Sequence, residues 1–270
     1  LKQLNLSSHI NEILEIAFKA SEAIMNIYNI DFSIVHKEDN SPLTQADELS
    51  NNIITESLEK IFPSIPILSE ESKEVDYSIR KNWELFWLVD PLDGTKEFIK
   101  KNNEFCINIA LVKNNIPVFG LIHHPVSNTS FYNLGNKIFK HQKHSEIITE
   151  EIEFSKTVNI ISSSSHHNPI LLNLINKINQ LGFITTSIQQ GSALKFCSLV
   201  NNQSHIYPRY GPTMEWDTAA GHALLDAAGG SLIDMITKKP LIYNKGNLKN
   251  NNFIALSKSA NHLFADSMDF

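Results

Sequence analysis

The sequence predicts a layered α/β (α+β) protein, and three observations carry that prediction. The N-terminal part holds two long amphipathic helical patterns. The middle is a series of apolar runs parted by short polar turns, which is the pattern of an antiparallel meander. From about residue 157 onward, strand-like and helix-like segments alternate. Helices beside an antiparallel sheet, followed by alternating strands and helices, bury their apolar faces as stacked layers. At 270 residues and 42% hydrophobic, the chain is long enough for one large core or two joined subdomains.

In chain order, Ile10, Ile13, Leu14, Ala17, Phe18, Ile24 and Ile27 recur at helical spacing and predict a helix over 8–28, capped by Ser7 or Ser8. A strand is expected over 32–37, then a polar turn. A second helix spans 44–62, its inner stripe running through Asp47, Asn51, Ile54 and Leu58. Thr44 and Asp47 form a T-x-x-D capping pair, and on spacing alone we assign Asp47 to the cap. A short strand over 65–68 leads into Ser69-Glu70-Glu71, whose two glutamate side chains diverge, so that Glu70 can enter a site while Glu71 points away. Residues 86–89 read as a buried strand ending at Asp90-Pro91, because proline lacks the ladder donor. Strands over 106–112 and 118–123 form a hairpin, extended by 129–133 and 137–141. Adjacent histidines on a strand face opposite ways, and we assign His123, His124, His141 and His144 to surface or edge positions.

The charged, aperiodic stretch 145–157 marks the expected boundary between subdomains 1–150 and 151–270. Beyond it come a strand over 158–162, a helix from Asn168-Pro169 to Gly182, a strand over 184–188, and a helix from Gly191-Ser192 to residue 200. Then follow a short strand at Ile206-Tyr207 closed by Pro208, an alanine-rich helix over 218–228 capped by Asp217, strands over 231–234 and 253–257, and a loose tail after Ser259.

Composition excludes several classes of function. The net charge of −6 and pI of about 6.0 argue against nonspecific nucleic-acid binding. Two cysteines, Cys106 and Cys197, each in an apolar run, read as reduced residues of a cytoplasmic protein. The first residues carry one lysine and no continuous apolar run, so no signal peptide is expected, and no run approaches the ~20 apolar residues of a membrane span. Peripheral attachment to the cytoplasmic face of the inner membrane and the oligomeric state are left open.

The chemistry concentrates in Asp90-Pro91-Leu92-Asp93-Gly94-Thr95. A tight bend can turn both carboxylates and the Leu92 carbonyl toward one point, a hard-oxygen site suited to magnesium. Gly94 permits close approach of an anion to the backbone, and the amides after it can open a helix facing that anion. The haloacid-dehalogenase signature also ends in Asp-Gly-Thr, but it spaces its carboxylates at i and i+2 rather than i and i+3, so a phospho-aspartate mechanism is rejected. Trp216-Asp217-Thr218-Ala219-Ala220-Gly221 adds a carboxylate at a helix start, followed by small residues that allow close packing.

Taken in order, Asp47, Ser69-Glu70-Glu71, Asp90 through Thr95 and Trp216-Asp217-x-Ala219-Ala220 resemble the signature of the lithium-sensitive, magnesium-dependent phosphomonoesterases related to inositol monophosphatase. Asn40 through Asp47, Trp87 through Lys100, Gly191 through Cys197 and Tyr207 through Thr213 are similar to the bacterial 3'(2'),5'-bisphosphate nucleotidase branch of that family. The resemblance implies an α-β-α-β-α sandwich and two to three Mg2+ ions. Glu70, Asp90 and the Leu92 carbonyl would hold one ion. Asp90, Asp93 and Asp217 would hold a second, with a weaker third sharing Glu70. Asp47, Glu70 and Thr95 would position and deprotonate the attacking water, and the Gly94 and Thr95 amides would hold the phosphate. His166, Ser192, Lys195, Arg209 and Asp217 would contact the nucleotide and its retained phosphate. The implied substrate is adenosine 3',5'-bisphosphate, cleaved to AMP, with the sulfated nucleotide PAPS related to it. Inhibition by lithium and calcium is implied as well. The competing expectations are an inositol or sugar monophosphatase with the same chemistry, and a non-catalytic nucleotide and metal sensor.

Overall fold

The computed structural model describes residues 5–30, 34–36, 42–73, 75–142, 145–148, 156–162 and 169–264. After a 3-10 turn at Leu6–Ser8, helix α1 (Ile10–Tyr28) is followed by the paired short strands β1 (Ile34–His36) and β2 (Pro42–Thr44) and by α2 (Gln45–Ile61). Then come β3 (Ile67–Ser69), α3 (Tyr77–Arg80), β4 (Leu85–Asp93), α4 (Thr95–Ile99), β5 (Cys106–Lys113), β6 (Ile116–His124), β7 (Thr129–Leu134), β8 (Lys137–Gln142) and β9 (Ser145–Ile148). The second half supplies β10 (Thr157–Ser162), α5 (Pro169–Gln180), β11 (Ile184–Gln189), α6 (Leu194–Val200), β12 (Ile206–Arg209), α7 (Ala219–Ala228), β13 (Ser231–Asp234), β14 (Phe253–Leu256) and α8 (Lys258–Phe264).

Strands β3 to β9 form one sheet in chain order, antiparallel except for the parallel β3–β4 pair. A second sheet has the order β11-β10-β12-β14-β13. Alternation along β4 assigns Trp87 and Val89 to the core under α1 and α2, and Phe86 and Leu88 to the core shared with α6 and α7. The same alternation on β12 and β14 sends Tyr207, Phe253 and Ala255 to the α6/α7 side and Ile206 and Ile254 to the core under α5 and α8. The layers are therefore helix pair, sheet, helix pair, sheet, helix pair, as the five-layer expectation required. None of the described helices is long and apolar enough to cross a membrane.

The middle helix layer is packed at backbone distance. A Cβ on Gly120 of β6 would lie 2.2 Å from the Ala220 carbonyl oxygen, and one on Gly221 would lie 2.2 Å from the Phe196 ring. The small residues of α7 therefore let it lie directly on the first sheet.

Several boundaries differ from the sequence reading. The α1 N-cap is His9, with no side-chain capping bond, because Ser8 turns its hydroxyl to Asn5 O at 2.7 Å. Strand β4 continues through Pro91 to Asp93, with a register shift between Asp90 and Asp93. β3 pairs only as far as Val89, so Pro91 meets no ladder acceptor on that side. Strand β9 extends the first sheet into the stretch assigned as a boundary. His123 is fully buried, its Nδ1 2.8 Å from Ser130 Oγ and its ring edge-on to Phe18, so the surface assignment fails for it. His144 lies outside the described residues. Helix α6 starts at Leu194, because Ser192 takes φ +49° and cannot join the helix. β12 runs through Pro208 to Arg209. The expected loose tail is helix α8 as far as Phe264, which is buried.

Gly120→Ala should lower stability by about 1–3 kcal/mol, because backbone and not a flexible side chain opposes the added methyl. Chemical denaturation with an unchanged slope would measure it.

Candidate active site

Asp90 sits at the end of the regular part of β4, on the face given by Phe86 and Leu88, and is 1% exposed. Glu70 follows β3 directly, and its amide donates to Val89 O at 3.2 Å, which extends the parallel pairing by one residue and sets Glu70 beside Asp90. Asp217 arrives from the second half, just ahead of α7. One carboxylate oxygen from each of Glu70, Asp90 and Asp217 lies within 4.8 Å of the other two.

That proximity is costly. Burial, then the charges of Glu70, Asp93 and Asp217, hold Asp90 well above the ordinary carboxylate range, against one backbone bond from Leu92 N at 3.1 Å. Burial, then Asp93 and Glu70, do the same to Asp217. Carboxylates gathered this closely with only oxygen donors fit a hard divalent cation, whose charge would reverse the repulsion.

Asp93 lies outside that triplet. Its Oδ2 accepts bonds from Ala193 N at 2.5 Å, Asn108 Nδ2 at 3.2 Å and Cys106 Sγ at 3.8 Å. It thus clamps the turn before α6, as Glu104 Oε2 does by accepting from Gly191 N at 2.8 Å. Gly94 takes φ +96°, and a Cβ there would lie 2.9 Å from Glu104 O. Its glycine is required by backbone conformation and close packing, a more direct reason than anion approach.

Asp47 closes a capping box: Oδ2 accepts from Thr44 N at 2.8 Å and Thr44 Oγ1 at 2.6 Å. Its Oδ1 faces Thr95, whose Oγ1 lies 3.1 Å away and 3.3 Å from Leu92 O. Capping and site contact therefore coexist in one side chain. Asp217, by contrast, is not the cap of α7; Thr218 occupies that position, and Asp217 Oδ2 accepts from Met214 N at 2.9 Å.

A cavity of about 300 Å³ is lined by Asp93, Gly94 and Asp217 together with Ser192, Lys195 and Arg209. Lys195 is 4% exposed, donates to Gln190 O at 3.3 Å and to Ser192 O, and lies 5.1 Å from the Tyr207 ring centroid. Burial lowers its pKa to about 8, opposed by Asp93. Arg209 Nη2 donates to Pro212 O at 3.0 Å. His166 lies outside the described residues. The sequence reading missed Ser50, which holds Pro91 O at 2.7 Å, and Asn108. Both were signalled: Ser50 shares the Asp47 stripe, and Asn108 shares a strand face with Cys106. Nothing local signalled Glu104.

The raised values of Asp90 and Asp217 mean that the folded, metal-free protein holds more protons than the unfolded chain. The carboxyls' contribution is therefore fully present below the ordinary carboxylate pKa and declines as pH rises through the raised values. In chelator, Asp90→Asn should melt at or above the wild-type temperature near neutral pH, and mild acidification should raise the wild type more than the variant. Added divalent cation should raise only the wild-type melting temperature; a variant that melts lower in chelator would contradict the repulsion.

The inositol monophosphatase family model matches residues 5–268. The 3'(2'),5'-bisphosphate nucleotidase CysQ of Shigella flexneri is 39% identical over 236 residues, covering 87% of this chain and 93% of the relative. That of Buchnera aphidicola from Acyrthosiphon pisum is 39% identical over 225 residues, covering 83% of each. The crystal structure of CysQ from Bacteroides thetaiotaomicron, a bacterial member of the inositol monophosphatase family, superposes with a TM-score of 0.82 at 36% identity, covering 94% of this chain and 99% of that one. A Thermotoga maritima inositol monophosphatase, at 20% identity and TM-score 0.74 over 96% of this chain and 95% of that one, shares the fold. Sequence and fold agree along nearly the whole chain: it belongs to the inositol monophosphatase family.

Proposed function

We propose that the chain is a 3'(2'),5'-bisphosphate nucleotidase that hydrolyses adenosine 3',5'-bisphosphate to AMP and phosphate, and PAPS by the same chemistry. One observation carries the substrate class. A carboxylate that belongs to the acidic cluster, Asp217, lines the same cavity as the cations of Lys195 and Arg209. A substrate with one phosphate to lose and a second to keep matches that pairing of charges. The names of the relatives at 38–39% identity support the same reading.

Two to three Mg2+ ions are part of the proposal. Glu70, Asp90 and the Leu92 carbonyl would hold one. Asp90, Asp93 and Asp217 would hold another, with Asp93 using Oδ1, since its described hydrogen bonds fall on Oδ2. A bound divalent ion supplies charge neutralisation of the phosphoryl oxygens and acidifies a coordinated water. The chain's own part is positioning. Thr95 donates its hydroxyl proton to Asp47 Oδ1, which leaves the Thr95 lone pairs to orient a water. That water's oxygen would bond to phosphorus as the bond to the 3'-oxygen breaks; its proton would pass through the Thr95 hydroxyl to Asp47 with the aid of Glu70, and the leaving 3'-oxygen would take a proton from solvent to give AMP and phosphate. Amides at Gly94 and Thr95, with Ser192, would steady the phosphate and ribose, and His166 would complete the nucleotide contacts. Residues 1–150 and 151–270 would act as two subdomains, the first giving most of the acids and the second the cations. The buried free thiols of Cys106 and Cys197 are in keeping with a cytoplasmic setting.

Purified protein with Mg2+ should release phosphate from adenosine 3',5'-bisphosphate far faster than from inositol monophosphate or sugar bisphosphates. Lys195→Ala should lower kcat/KM for the bisphosphate about 10- to 100-fold, the loss of one charged hydrogen bond of about 1.5–3 kcal/mol, and change turnover of a small monophosphate little. Equal losses on both substrates would remove Lys195 from specificity. Asp93→Asn should abolish turnover, and full activity in it would remove that residue from the site.

A further inference from the structure

Two residues before Asp217, the carboxylate of Glu215 is wholly buried, with 0% exposure. An ion at that depth must have its lone pairs met. They are met by the loop between β13 and β14. Oε2 accepts from Asn244 N at 2.5 Å, and Oε1 accepts from Lys245 N at 3.0 Å and Lys245 Nζ at 2.7 Å. Lys245 Nζ also donates to Asn250 Oδ1 at 3.2 Å, and Asn250 Nδ2 donates to Met214 O at 2.8 Å and Thr218 Oγ1 at 3.0 Å. Backbone bonds from Glu215 N to Leu248 O at 2.9 Å and from Asn250 N to Thr213 O at 2.8 Å close the ring.

Behind this loop stands Arg80, carried by α3 from the first half of the chain and 1% exposed. Its Nη1 donates to Asn244 Oδ1 at 3.0 Å and Lys245 O at 2.6 Å, and its Nη2 to Gly246 O at 3.0 Å; Asn244 Nδ2 donates back to Arg80 O at 2.6 Å. Segment 213–218 is thus pinned along its length, and within it the Asp217 carboxylate accepts from Met214 N at 2.9 Å. The pinned loop and Trp216 also line a cavity of about 480 Å³ that Glu70 borders.

We propose that Glu215, Lys245 and Arg80 are positioning residues that set the place of the Asp217 carboxylate for a divalent cation. The inference rests on the metal reading given under the proposed function. Lys245 Nζ pairs with the Glu215 charge at 2.7 Å. Lys245 is partly exposed, so the pair adds little stability, while its hydrogen bonds hold Glu215 in one place.

The test is calorimetric titration of the full chain with Mg2+ alone, beside melting in chelator and steady-state kinetics. Lys245→Met should remain folded, bind Mg2+ at least about tenfold more weakly, and lose kcat with little change in KM; Lys245→Arg should recover most of both. If Lys245→Met does not fold, Lys245→Gln, whose amide still donates to Glu215, makes the same comparison. A lowered melting temperature with unchanged Mg2+ affinity and kcat would overturn the proposal and leave the network a structural brace. Absence of Mg2+ binding by the wild type would overturn the metal reading itself.

Discussion

Glu70, Asp90 and Asp217 are held with carboxylate oxygens within 4.8 Å of one another, and the rest of the structure is arranged to impose that repulsion. Carboxylates free to move would separate. Here each is fixed by backbone: Asp90 by the sheet, Glu70 by its amide bond to Val89 O, and Asp217 by the segment ahead of α7. The folded state carries this unfavourable contact as the condition for a cation site.

Close packing brings the second half against the first sheet, beside the hydrogen bonds of Arg80 to residues 244–246. Gly120 and Gly221 allow α7 to touch β6 and Phe196 at distances that no side chain would permit. The start of α7 is thereby set over the end of β4, across about 130 residues of chain. Asp93 and Glu104 add two hydrogen bonds to the turn at 191–193, so α6 and Lys195 are located from the first sheet as well. Acids and cations are placed relative to one another by the same interface.

Dual roles recur in the site. Asp47 caps α2 with one oxygen and holds Thr95 with the other. Asp93 clamps the second half through Oδ2 and also lines the cavity. Gly94 is needed for a positive φ and for a close approach to Glu104 O. Such economy makes each position intolerant of change for two physical reasons at once.

By itself the sequence determined the layered architecture, the hairpins and the capping box, because each depends on neighbours within a few residues. The i, i+3 spacing of Asp90 and Asp93, the helical stripe through Asp47 and the small residues after Asp217 are all local patterns. The tertiary structure alone decided that β4 runs through Pro91, that His123 is buried, that Thr218 and not Asp217 caps α7, and that the triplet is Glu70, Asp90 and Asp217, with Asp93 beside it. Each of these turns on a partner far along the chain: an edge where β3 stops, an aromatic ring from α1, a backbone amide at Ala193. Short-range periodicity carries no record of such partners, since burial and long-range hydrogen bonding exist only once the layers have closed.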